Sequence, residues 1–308
     1  MLLDTAAMYF RAFHAVPDSV RSPSGEPVNA VRGLLDMIAR LVTEFAPTAL
    51  VACWDEDWRP AWRVALVPSY KAHRVAQERA EGDVEVVPDE LVAQVPVIRR
   101  TLTALGIPVV GAPGYEADDI IGTLAATARV PVDVVTGDRD LFQVVDDERR
   151  VRVIYTGRGM SRLEILTGEA LVAKYGVTPR QYADFAVLRG DPSDGLPGLA
   201  GVGEKTAASL LSTHGSLDGI LAAAASGGLS ATMTSRVRGA AEQLEAAARV
   251  VAVARDLDLG DVPFTIGVPA DAGEELAALK ERWGLGDSLE RARTALDARA
   301  DAAAGREP

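Results

Sequence analysis

The first half of the chain alternates short apolar runs with longer segments whose apolar residues recur at helical spacing, and that rhythm leaves few folds open. Residues 1–4 read as the end of a buried strand, 50–54 as a second, 107–110 as a third and 132–135 as a fourth. Between them, residues 29–45 carry Val31, Leu34, Leu35, Ile38, Leu41 and Val42 on one helical face, with Pro47 as the stop. Residues 91–105 read as a helix that Pro96 either kinks or starts, and 117–128 as another. The pattern is that of an α/β chain, with a largely parallel central sheet flanked by helices.

Acidic residues fall where such sheets place their ligands. Asp4, Asp55 and Asp138 each sit at or just past the carboxyl end of an expected strand. Seven acids form three tight groups, Glu116-Ala-Asp118-Asp119, Asp138-Arg-Asp140 and Asp191-Pro-Ser-Asp194. Acids opening a helix are accounted for by the macrodipole alone, but their recurrence at several strand ends is not. Glu116 and Asp119, three apart, share a helix face. Two carboxylates about 5 Å apart at an effective dielectric near 20 repel by roughly 3 kcal/mol, so gathering them calls for cations. With no Cys or His among them, the oxygen-only set selects magnesium or manganese rather than zinc, and points to metal-assisted attack on a phosphate ester.

Composition narrows the rest. A chain of 308 residues can bury a sizeable core as one large or two smaller domains. The lone Cys53 lies in an apolar run and cannot form an internal disulfide, which fits a reducing compartment. No run is long and apolar enough to span a bilayer, so the expectation is a cytoplasmic protein, and with no amphipathic stripe left unused the default is a monomer. A net charge of −12 argues against a generic nucleic-acid binder, yet basic residues cluster at Arg59, Arg63, Lys71 and Arg74, at Arg149, Arg150, Arg152, Arg158 and Arg162, and at Arg236 and Arg238. In Tyr70-Lys71-Ala-His-Arg74, followed by a helix-permissive stretch to about Glu85, Lys71 and Arg74 would point the same way on a helix, as suits a phosphate passing an acidic metal site.

The second half reads as short helices over 171–175, 180–188 and 205–211. Gly201-Val202-Gly203-Glu204-Lys205-Thr206 is a glycine hairpin entering a helix. No strand precedes it and Glu204 separates Gly203 from Lys205, so it is not a nucleotide-binding P-loop. A helix–hairpin–helix gripping a DNA backbone without reading bases fits better. Beyond about Asp256 the chain is acidic and Ala-rich, and 299–308 reads as a frayed tail.

Together these pieces resemble the bacterial 5′-3′ exonuclease and flap endonuclease family, including the 5′-nuclease domain of DNA polymerase I. The resemblance covers about 2–260 and rests on Tyr9-Phe-Arg11-Ala-Phe-His14-Ala, Gly25-Glu-Pro-Val-Asn29-Ala, Tyr70-Lys71-Ala-His-Arg74, Gly114-Tyr115-Glu116-Ala-Asp118-Asp119, Thr136-Gly-Asp138-Arg-Asp140-Leu and Arg189-Gly-Asp191-Pro-Ser-Asp194 through Gly203-Glu-Lys205-Thr206-Ala. It implies a PIN-like 5′-nuclease fold. The nuclease domain would be 1–164 with a helical arch at about 70–95. A helical DNA-binding region would follow at 165–265, then an extension at 266–308.

The resemblance also implies a ligand set: Asp4 and Asp55 at the ends of the first two strands, Glu116, Asp118 and Asp119 contributing to both metal positions, and Asp138, Asp140, Asp191 and Asp194 around the second metal. Lys71 and Arg74 fall where the arch offers cations to the scissile phosphate, Tyr70 where a base stacks, and Arg11 near the DNA. The hairpin Gly201-Val202-Gly203 with Lys205 and Thr206 would hold the downstream duplex, often with a potassium ion. The implied activity is two-metal hydrolysis of DNA at 5′ flaps, nicks, gaps and ends, alongside a replication and repair polymerase and ligase. RNA-primed flaps stay open, as do a related RNA-directed nuclease and an idle branched-DNA scaffold. Three departures stand out: Thr5 follows Asp4 where the family has Gly, Gly195 replaces an Asn, and an extra residue before Arg63 lets Asp57 compete with Asp55.

Overall fold

Short runs of apolar, largely β-branched residues form the strands. In the computed structural model, which describes residues 1–78 and 82–305, they are β1 (Leu2–Asp4), β2 (Val51–Cys53), β3 (Val75–Gln77), β4 (Val84–Glu85), β5 (Val109–Val110), β6 (Val132–Thr136), β7 (Val151–Tyr155) and β8 (Glu164–Leu166). Six of them make one sheet in the order β5-β2-β1-β6-β7-β8. All pairings are parallel except that of β8, which runs antiparallel to β7. All four expected strands form. β7 and β8 lie outside that expectation because Arg152 and Glu164 interrupt their apolar pattern; these side chains find partners in Asp133 and Lys174.

Both faces of the sheet are covered, as a mostly parallel sheet requires. Leu2 packs with Val51, Cys53 and Val134 on one face, and Leu3 with Ala52, Val135 and Ile154 on the other. The Leu3 face lies under the helices Asn29–Phe45, Val95–Ala104, Gly273–Trp283 and Gly286–Ala303. The Leu2 face lies under Ala117–Thr127 and the helical second half, which includes Gly168–Tyr175, Tyr182–Arg189, Glu204–His214, Leu217–Ser226, Ala231–Gly239 and Ala241–Val251.

The helix Asn29–Phe45 starts at a buried polar node. Gln94, 1% exposed, accepts the Ala30 amide at 2.8 Å and donates to Asn29 Oδ1 at 2.9 Å. Asn29 in turn donates to the carbonyls of Phe13 and Val16, tying three segments together. Pro96 does not kink a long helix: it sits in the first turn of Val95–Ala104, where its missing N–H costs nothing.

Two expectations are corrected. Residues 70–95 are not a helical arch. Lys71 takes a left-handed φ of 48°, a single 3-10 turn spans Ala72–Arg74, and β3 and β4 then pair as an antiparallel hairpin before the short helix Asp89–Val92. The valines of the two strands favour extended backbone, and Gly82 adopts φ +125°, which suits a turn. Residues 79–81 of that expected stretch lie outside the described residues. Nor does the chain fray from Arg299: Gly286–Ala303 is one helix, with Leu289, Ala292 and Leu296 buried in the core shared with Asn29–Phe45. Residues 306–308 lie outside the described residues.

Candidate metal centre

The carboxyl edge of the sheet assembles the acids. Asp4 ends β1 and caps the helix Thr5–Ala15, its Oδ1 accepting the Ala7 amide at 3.1 Å and its Oδ2 accepting the Thr136 hydroxyl at 2.6 Å. Asp55 stands two residues beyond β2 and accepts the amide of Ala117 at 2.7 Å, which joins the second strand to the start of the helix Ala117–Thr127. Asp138 stands two residues beyond β6, and its Oδ1 accepts the Asp140 amide at 2.9 Å.

Asp4, Asp55, Glu116, Asp118 and Asp138 line one cleft of about 410 Å³, together with Lys71, Arg74, Glu85 and Trp58. Asp138 also lines a second cleft of about 550 Å³ with Arg139, Tyr155, Arg189 and Asp191, and so stands between the two. Asp57 lines neither cleft, and its carboxylate instead accepts the Arg59 amide at 3.2 Å, so Asp55 is the one presented.

Burial and mutual repulsion raise five carboxyls of this region, Asp4, Asp55, Asp118, Asp140 and Asp194. Asp4 is pushed up to about 7, by burial first and then by Asp55 and Asp138, against the lowering effect of the Thr136 hydroxyl. Asp55 is raised to about 6, mainly by burial. Asp118 is raised by burial, Asp138 and Asp4. Asp140 is raised by burial and by Asp138, Asp194 and Asp191, and Asp194 to about 6 by burial, with Asp138 and Glu116 adding to it. Asp138 acts on Asp4, Asp118, Asp140 and Asp194 alike, so the two expected groups form one continuous negative field.

The oxygen donors suit a hard divalent ion. One oxygen of Asp140, Oδ1, is buried with no hydrogen-bond partner, which is the kind of vacancy a cation satisfies. Among the described residues, no three acidic, His or Cys side chains already converge as a finished ligand cage. A protein cation stands in the field instead. The Lys71 ammonium pairs with Glu116 Oε1 and also reaches the Trp58 carbonyl at 3.4 Å. Burial works against that charge, but Glu116 and the other acids outweigh it and hold the Lys71 pKa well above its ordinary value.

Several expected roles are corrected. Asp119 does not face the cleft: Arg63 holds its two oxygens at 2.9 and 2.8 Å, and the Ala254 amide donates to it at 2.9 Å. Arg63 pairs with Glu116 as well, and its Nε donates to the Val250 carbonyl at 3.0 Å. Tyr70 is 4% exposed, with its hydroxyl donating to Glu116 Oε2 at 2.7 Å, so its ring is not free to stack on a base. Arg74 does line the cleft, but it is paired with Glu85 rather than aligned with Lys71 on a helix. Sequence reading placed Arg63 only in a basic cluster and passed over Glu85; the partners of Arg63 are remote in sequence, and Glu85 meets Arg74 only because β3 and β4 pair.

Arg11, on the helix Thr5–Ala15, approaches Gly137, and its Nε is buried without a hydrogen-bond partner. In the second half of the chain, Gly201 adopts φ +73° beside Arg236, and Gly203 caps the helix Glu204–His214. Val202 is buried while Lys205 and Thr206 are exposed in the first helical turn. The hairpin therefore anchors by its valine and presents amides, a hydroxyl and an ammonium outward, as phosphate contacts require.

Residues 1–176 match the family model of the 5′-3′ exonuclease N-terminal resolvase-like domain, and 177–266 that of the 5′-3′ exonuclease C-terminal SAM fold. A 5′-3′ exonuclease of Streptomyces coelicolor is 57% identical over 97% of this chain and 100% of its own length. One of Mycobacterium tuberculosis is 48% identical over 96% and 97%. DNA polymerase I of Mycobacterium tuberculosis is 47% identical over 70% of this chain and 23% of its own length. The fold matches the T5 5′-exonuclease with bound divalent metal ions at a TM-score of 0.65 and 17% identity, over 96% of this chain and 97% of that one. It matches human GEN1 in complex with Holliday junction DNA at 0.65 and 16% identity, over 96% and 71%. Among the described residues no helix is long and apolar enough to cross a membrane. The chain belongs to the 5′-3′ exonuclease family.

Proposed function

We propose that the protein is a structure-specific 5′ nuclease that cuts DNA phosphodiesters at 5′ flaps, nicks, gaps and free ends with magnesium or manganese. The observation that carries this reading is the meeting of Asp4, Asp55, Glu116, Asp118 and Asp138 in one cleft, with Lys71 and Arg74 on its wall. The proposed ligands are those five together with Asp140, Asp191 and Asp194; Asp119 belongs to the Arg63 clamp. These carboxylates would hold divalent ions, whose chemistry there would be to activate a water and to neutralise charge on the phosphate.

The protein's own groups do the rest. Lys71 and Arg74 offer positive charge to the scissile phosphate, which displaces each from its carboxylate partner. Gly201, Gly203, Lys205 and Thr206 hold the duplex by its backbone, with a potassium ion against the hairpin, and Arg11 lies on the path of the strand. Unstacking the target nucleotide costs a few kcal/mol, less beside a flap or nick, so selectivity for structure needs no base contacts.

A gel with labelled flap, nicked duplex, single strand and RNA–DNA hybrid, each with and without magnesium, tests the reading. Magnesium-dependent release of 5′-phosphorylated product from flap and nick supports it. Binding without cleavage at any divalent concentration would leave an idle scaffold, and preference for the hybrid a nuclease directed to RNA.

A further inference from the structure

One neutral side chain that does not itself line the cleft hydrogen-bonds to two of the acidic positions at once. Thr136 is the last residue of β6 and is wholly buried. Its hydroxyl donates to Asp4 Oδ2 at 2.6 Å and accepts the Asp138 amide at 2.8 Å. An amide can only donate and an ionised carboxylate can only accept, so with Asp4 ionised, as a metal ligand must be, the direction of both bonds is set. Asp4 ends β1 and Asp138 follows β6, its parallel neighbour in the sheet, and the Thr136 hydroxyl bonds to both residues. The backbone of Thr136 is itself held, its carbonyl accepting the Thr156 amide at 2.8 Å and the Thr156 hydroxyl at 3.1 Å.

We infer that Thr136 is a positioning residue of the metal centre, whose hydroxyl sets the mutual placement of the Asp4 carboxylate and the Asp138 loop for a shared divalent cation. The bond to Asp4 Oδ2 and the Ala7 amide on Oδ1 each use one lone pair of the carboxylate, which fixes its rotation and leaves lone pairs toward the cleft. The bond from Asp138 pins the loop at its first acid, and Asp138 Oδ1 then orders the next turn by accepting the Asp140 amide. A single buried hydroxyl thus carries the register from β1 to the second acidic pair. The methyl of Thr136 makes no such link, so the hydroxyl and not the bulk of the side chain is the active part. Outer partners of this sort, when removed, lower metal affinity by about 10- to 100-fold.

The inference rests on the metal reading above, and its test separates the two. Mn2+ binding to the DNA-free protein is measured by calorimetry for wild type, Thr136→Val, Thr136→Ala and Thr136→Ser. Alongside, flap affinity is measured in calcium, and the magnesium concentration giving half-maximal cleavage is determined. Val and Ala are expected to weaken Mn2+ binding by about tenfold or more and to raise the magnesium requirement in step. Ser is expected to return both to within about threefold of wild type, because it keeps the hydroxyl. Flap affinity should not move. Val or Ala binding Mn2+ like wild type, or Ser failing as they do, overturns the inference while leaving the metal reading intact. A wild-type protein that binds no Mn2+ removes both. If Val does not fold, Ala and Ser decide the matter between them.

Discussion

Arg63 and Asp119 form a two-pronged ion pair inside the protein, Nη1 to Oδ2 at 2.9 Å and Nη2 to Oδ1 at 2.8 Å. Arg63 is 2% exposed and Asp119 is fully buried. The same guanidinium pairs with Glu116 and donates to the Val250 carbonyl, so it joins the acidic edge of the sheet to the helix Ala241–Val251. Breaking one side of a buried pair leaves an uncompensated charge. Arg63→Met is therefore expected to cost about 3–5 kcal/mol in urea unfolding, and Asp119→Asn less, since an amide still accepts from the guanidinium. An Arg63→Met protein as stable as wild type would show that the clamp is not structural.

Lys71 serves as a cation within the acidic cleft. Lys71→Met should therefore lower stability without divalent ions and enlarge the rise in melting temperature on adding magnesium, because more repulsion is left for the ion to relieve. Cleavage should fall while flap binding holds. A thermal melt in which the variant responds to magnesium no more than wild type would refute the idea.

The raised carboxyls make stability fall as pH rises. Asp4, Asp55 and Asp194 lie at about 7, 6 and 6 in the folded protein, against an ordinary value of 3.8. Between about pH 4 and 7 the folded state thus binds more protons than the unfolded chain, and unfolding becomes easier with each step upward. Without divalent ions the protein should melt lower at pH 8 than at pH 5. Saturating magnesium should shrink the difference, since it binds the ionised form. A metal-free protein that is equally stable at both values would contradict the crowding of these groups.

Asp138 lies on both clefts and raises four neighbouring acids. Asp138→Ala and Asp140→Ala should each abolish cleavage and leave flap binding largely intact. Single-turnover assays would expose the error at once if either variant cut at the wild-type rate.

Lys205 is exposed in the first turn of Glu204–His214 and lines neither acidic cleft. Lys205→Ala should weaken duplex binding and reduce the salt slope of that binding by about 1, as loss of one phosphate contact does. Its cleavage rate at saturating substrate should stay close to wild type; a fall in that rate alone would place Lys205 in the chemistry instead.

What the chain's order of residues determined by itself is the sheet edge. The runs Leu2–Leu3, Val51–Cys53 and Val134–Val135 are short and apolar and read as strands, so Asp4 stands at the end of its strand and Asp55 and Asp138 two residues beyond theirs. Asp4, Asp55 and Asp138 could thus be placed from local pattern alone, as could the glycine hairpin, but not the burial of Val202, which was expected among the DNA-binding residues and lies in the core instead. Only the tertiary structure decided which acids face the cleft. Arg63 meets Asp119 across 56 positions and Val250 across 187, and a contact at that distance leaves no periodic trace. The hairpin in place of an arch was likewise decided beyond local propensity: the Trp58 indole donates to the Asp83 carbonyl, and Arg59 pairs with Asp83, holding extended a segment whose charged residues would also tolerate a helix.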